Sequence, residues 1–76
     1  MRSHNLRKIV SANVKHYRRK LGYTQEKLAE LCDLSPRYVS DIENVRGNIP
    51  LDTIEAIASA LCVEPYMLLK EHDTNN

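Results

Sequence analysis

The chain shows no strand-like alternation of apolar and polar residues and no internal repeat, which excludes the β classes and the repeat architectures. Charged residues interrupt every apolar run, so no segment reads as a membrane span. The start MRSHNLRKIV lacks the continuous apolar stretch of ~7 to 15 residues that a secretory signal needs, and the chain is expected in the cytoplasm with reduced thiols. Cysteine is scarce: Cys32 and Cys62 both fall within apolar patterning and read as small buried hydrophobes. His4, His16 and His72 stand at no metal-ligand spacing from them, so neither a metal nor any other cofactor is expected. No nucleophile, base and orienting group recur together, which argues against an enzyme. Acidic side chains are missing from residues 1–23, where Arg2, Arg7, Lys8, Lys15, Arg18, Arg19 and Lys20 are found.

What is present fits one small module. Its 76 residues, 42% hydrophobic and 28% charged, leave no room for a second domain. The expected unit is residues 1–76, with an ordered core over about 5–70 and a frayed tail over 71–76. A core this small is marginal without a staple or a partner subunit. The net charge is only +1, yet it is polarised: the acids are concentrated after residue 23, opposite a basic first third. Such a molecule can dock its basic end on a polyanion, although a merely solvated basic helix has the same signature.

Apolar spacing predicts a first helix over about residues 5–20, with Leu6, Val10, Val14, Tyr17 and Leu21 on one face. Ser3 or Asn5 can cap it, and Gly22 ends it. A second helix over 25–32 follows Thr24 as N-cap and turns Leu28, Ala29, Leu31 and Cys32 inward. Asp33 makes the turn in a left-handed conformation and Leu34 tucks back. Ser35 and Pro36 open a third helix over about 36–44 that buries Val39 and Ile42. Pro50 opens a fourth, to about residue 61, with Leu51, Ile54, Ile57, Ala58 and Leu61 inward. Cys62 stands where Gly or Asn would end that helix more easily. Residues 66–69 allow a last turn or two, so the fold class is all-α.

Two short helices joined by a tight turn across residues 24–43 have the spacing of a helix-turn-helix, whose second helix enters the DNA major groove. The run TQEKLAELCDLSPRYVSDIENVRGNIPLDTIEAIASAL resembles the lambda-repressor-like, Cro/Xre-type domains, and the resemblance extends over residues 10–69. Its specific matches are Thr24-Gln25-Glu26, Leu28-Ala29, Ser35, Tyr38, Ser40, Ile42-Glu43, Arg46, Asn48 and Leu51. The stretch YVSDIENVRGNIPLDTIEAIA is most similar to the controller proteins of restriction-modification systems, which are homodimeric autoregulators. Asp33, Val45 and Cys62 depart from the family by replacing frequent glycines. The resemblance implies a compact five-helix domain. It also implies an ion pair between Arg18 and Glu43 across the first and third helices.

With Val39 and Ile42 inward, Pro36, Arg37, Ser40 and Asp41 face outward as candidate base readers. Arg37 can bridge guanine O6 and N7, and Pro36 can touch a thymine methyl. Ser40 can meet a base edge or a phosphate. Asp41 either accepts from cytosine N4 or pairs with Arg37, the latter being the preferred reading. Phosphate contacts are expected from Gln25, Tyr38, Asn44, Arg46 and Asn48. Local capping by Asn44 and Asn48, and plain packing of Tyr38, remain open for those three.

Tyr66, Met67, Leu68 and Leu69 supply more apolar surface than a terminal turn can bury, so they are assigned to a homodimer interface unless they cap the monomer core. The expected function is a regulator that binds an inverted repeat in double-stranded DNA as a homodimer. It would act by occupancy and by contact with RNA polymerase. An antitoxin or phage-type repressor of the same fold is the nearest alternative, and a helical protein-interaction module without DNA binding is the rival from another class.

Overall fold

The computed structural model describes residues 5–71, so Ser3, His4, His72 and the rest of the tail lie outside the described residues. Within them the chain folds as five helices: α1 (Leu6–Lys20), α2 (Gln25–Cys32), α3 (Pro36–Glu43), α4 (Leu51–Leu61) and α5 (Pro65–Leu69). α2 packs on α3 and α4, while α1 lies against α3, α4 and α5. Their common core consists of Val10, Val14, Leu28, Ala29, Val39, Ile42, Ile54, Ile57, Ala58, Leu61 and Leu68.

Local chemistry sets the helix limits. Asn5 caps α1 by accepting from the Lys8 amide, Thr24 caps α2 through the Lys27 amide, and Ser35 caps α3 through the Tyr38 amide. Each satisfies one of the amide donors that a helix start leaves open. Pro50 serves as the N-cap of α4 and not as its first helical residue, and Pro65 enters α5 one position earlier than the apolar run suggests. Asn44 is the C-cap of α3. Gly22 takes a positive φ of 76° just after α1.

α2 and α4 end alike. Asp33 and Cys62 adopt left-handed backbones, and the next residue folds back to donate to a carbonyl of the preceding turn, Leu34 to Ala29 and Val63 to Ala58. Leu34 and Val63 then pack on the core. A cysteine in this conformation is strained and its side chain is exposed, so Cys62→Gly removes a steric cost without removing packing. The expected result is a gain of about 1 kcal/mol, less the extra unfolded-state entropy of glycine. A thermal melt under reducing conditions should rise by several degrees; an unchanged or lower midpoint would mean the strain is already relaxed.

Several residues expected inside point outward. Leu6 and Leu21 lie at the ends of α1, beyond its neighbours, and Leu51 begins α4 with 74% of its surface exposed. Side chains lean toward a helix N-terminus, so a residue in the first turn reaches past the core and not into it. Leu31 is also exposed, because Leu28, Ala29 and Cys32 occupy the inward face of an eight-residue helix.

Candidate nucleic-acid interface

α2 and α3 are joined by a three-residue turn that places the start of α3 on the surface. Val39 and Ile42 are buried, and Pro36 and Arg37 are exposed beside half-buried Ser40 and Asp41. The four candidate base readers therefore share the outward face of one helix. Arg37 lies 3.8 Å from Asp41 through its Nε, and Arg46 Nη1 approaches the same carboxylate oxygen at 3.7 Å. Asp41 thus holds both arginines, one within its helix and one from the following loop.

The expected phosphate-binding residues divide into two groups. Asn44 donates to the Ser40 carbonyl at 2.9 Å and to its hydroxyl at 3.3 Å, a local contact that closes the end of α3. Tyr38 packs its ring on the core and donates its hydroxyl to the Asn48 carbonyl at 3.2 Å, leaving the exposed Asn48 side chain free of any described contact. Arg46 is exposed beside it. Gln25 stands at the first position of α2 with its amide donating to Glu43 Oε1 at 3.0 Å.

That contact belongs to a buried polar cluster. Arg18 meets Glu43 through two parallel bonds, Nε to Oε2 at 2.6 Å and Nη2 to Oε1 at 3.0 Å. Its third donor, Nη1, reaches the Tyr23 carbonyl at 2.7 Å. The fork geometry of a guanidinium suits this role, and a lysine could not reproduce it. Burial alone would push the Glu43 carboxyl up, but hydrogen bonds from Arg18 and Gln25, with the charges of Arg18 and Lys15, hold it below the ordinary glutamate value. The Arg18 guanidinium is raised by its hydrogen bond to Glu43 against the opposing effect of burial. The cluster locks the end of α1, the start of α2 and the end of α3 together, which fixes the recognition helix relative to its neighbour.

Three polar side chains escaped the sequence reading. Ser11 donates its hydroxyl to the Ile42 carbonyl near the end of α3. Asn13 donates to the carbonyls of Leu68 and Lys70 at 2.8 and 2.9 Å, closing α5. Arg7 donates to the Gly47 carbonyl at 3.1 Å. Ser11 and Asn13 flank the Val10–Val14 stripe, and a polar residue on the inward side of a periodic pattern was the available signal.

The assignment of Leu68 to a dimer surface is corrected. It is 0% exposed and lies in the core, since α5 crosses α1 and α4 with this residue turned down. Tyr66 is 63% exposed, and Met67 and Leu69 are partly buried. Among the described residues no three His, Cys, Asp or Glu side chains come together. Burial pushes the Cys32 thiol up, away from the reactive thiolate. No helix among them is long and apolar enough to cross a membrane.

A recognition helix with an outward polar face, preceded by a three-residue turn, locked to α1 by an ion pair and to α2 by a hydrogen bond, defines a helix-turn-helix DNA-binding protein. The chain belongs to the Cro/Xre-type helix-turn-helix family HTH_3, which matches residues 14–68. It is 44% identical over 68 residues to the control protein C.BamHI of Bacillus amyloliquefaciens, an alignment covering 88% of this chain and 84% of that protein. It is 43% identical over 65 residues to a hypothetical transcription factor of Neisseria meningitidis, covering 86% of this chain but only 61% of the relative. The crystal structure of the restriction-modification controller protein C.AhdI from Aeromonas hydrophila superposes with a TM-score of 0.79 at 32% identity, covering 82% of this chain and 94% of that one. The protein is thus a DNA-binding transcriptional regulator by family and not an enzyme.

Proposed function

We propose that this protein is a single-module regulator that binds an inverted repeat as a homodimer and controls transcription by occupying it, in the manner of a restriction-modification controller. The carrying observation is the outward face of α3, where Pro36, Arg37, Ser40 and Asp41 stand clear of the core. Base recognition is assigned to those four residues, with Arg37 reading guanine. Backbone recognition is assigned to Arg46 and Asn48, with smaller parts for Gln25, Tyr38 and Asn44, whose donors already have partners in the chain. Similarity to two control proteins supports the controller role. Tyr66, Met67 and Leu69 form the proposed dimer surface, and a two-fold axis there would set paired recognition helices about one DNA turn, roughly 34 Å, apart. RNA polymerase is the further partner through which the bound dimer would act, in the cytoplasm.

Selection from randomised duplexes tests this reading. The wild type should enrich one palindromic sequence, with affinity falling steeply as salt rises. Arg37→Ala should lose about 1 to 3 kcal/mol of discrimination at one base position per half-site while retaining non-specific binding. Enrichment of no sequence at physiological salt would instead favour a protein-interaction module.

A further inference from the structure

The loop between α3 and α4 reverses direction through two left-handed residues, Val45 at φ 60° and Gly47 at φ 75°. The first is costly for a β-branched side chain, and such strain persists only where the surroundings over-determine it. Backbone bonds secure the first half: the Val45 amide donates to Ile42 and the Arg46 amide to Asp41. Beyond Arg46, residues 47–49 have no backbone–backbone bond among those described. Two side chains from other elements take over, Arg7 of α1 holding the Gly47 carbonyl and Tyr38 of α3 holding the Asn48 carbonyl. Packing adds Ile49, half-buried against the core, and a groove of about 400 Å³ bordered by Leu6, Arg7, Asn48 and Leu69 lies between this loop and α1.

We propose that Arg7 is a positioning residue for DNA backbone binding, tethering the α3–α4 loop so that Asn48 is presented to a phosphate. This rests on the DNA-binding reading above. Arg7 lies on the first turn of α1, outside the recognition helix, and its influence passes through the Gly47 carbonyl. An ordered loop meets the phosphate without first losing conformational freedom, and an untethered one loses it on binding.

Arg7→Ala should weaken binding to operator and to random duplex alike, by about threefold per half-site, the worth of one exposed hydrogen bond. The melting temperature should fall by no more than a few degrees, because the side chain is exposed and makes one hydrogen bond. Arg7→Lys should recover part of the loss. In a double-mutant cycle with Asn48→Ala the effects should be strongly non-additive, since one residue acts through the other. In the free protein, the backbone NMR order parameters of residues 47–49 should fall in Arg7→Ala. Unchanged affinity overturns the proposal. So do additive losses accompanied by a fall of about 0.9 in the salt slope per protomer, which would mark Arg7 as a direct phosphate contact. If the wild type binds no duplex, the DNA reading fails by itself. The tether is then judged on the order parameters alone, and unchanged values overturn it.

Discussion

Glu43→Ala is expected to lower stability by about 3 to 5 kcal/mol, since it leaves the Arg18 guanidinium buried without its counter-charge. At roughly 0.05 to 0.15 kcal/mol per residue, the whole domain has about 4 to 11 kcal/mol, so a large unfolded fraction should appear at 37 °C. Gln25 loses its acceptor in the same step, but it is half-exposed and can turn to water. Replacing both charged residues with apolar ones, Arg18→Met with Glu43→Leu, should recover part of the loss, because paired desolvation is then avoided. Recovery stays incomplete, as the Tyr23 carbonyl loses the Arg18 donor. Acid provides an independent check. The Glu43 carboxyl is depressed in the folded state, so its contribution is complete above the unfolded value near 4.5 and disappears as pH falls through the folded value. The advantage of wild type over Glu43→Gln should therefore be full at pH 7 and shrink below about 4.5. Denaturant titrations at several pH values measure both effects. A wild-type midpoint in Glu43→Ala together with lost DNA binding would reassign the pair from architecture to DNA contact.

The next largest effect separates two neighbours on α5. Leu68→Ala should cost about 2 to 5 kcal/mol, because its side chain is fully enclosed by α1 and α4 and its removal leaves a cavity. Tyr66→Glu, at an exposed position, should leave monomer stability within about 0.5 kcal/mol while weakening self-association and operator affinity together. Thermal melts combined with sedimentation distinguish the two. A stable Leu68→Ala variant would contradict the observed packing, and a wild type that sediments only as monomer would remove the proposed dimer.

The adjoining fates of Leu68 and Tyr66 also show what could be read from the chain alone. Thr24, Asp33, Ser35 and Pro36 act on backbone within four residues of themselves, so the limits of α2 and the start of α3 were legible before folding. The outward placement of Arg37 followed from the burial of Val39 and Ile42 in the same short helix. A five-residue helix such as α5 is too short for periodicity to tell its inner face from its outer one. The bonds from Ser11 to Ile42 and from Asn13 to Leu68 span 31 and 55 positions, and only the packing of whole helices brings their partners together. The Arg7 tether has the same origin: nothing near residue 7 announces a carbonyl 40 positions away.

Asp41, set between two guanidinium groups, gives Arg37 a resting place. Exposed ion pairs at 3.7 and 3.8 Å contribute about 0 to 1 kcal/mol each, so Arg37 can leave at little cost and Arg46 stays to neutralise the carboxylate. An arginine without such a resting place would attach to any passing phosphate. A parked one is drawn away most effectively where two acceptors are offered side by side, as on the major-groove edge of guanine. The carboxylate that blunts the positive charge of the recognition helix would thereby trade grip on random DNA for fidelity to one site, a useful exchange for a regulator surrounded by competing sequence.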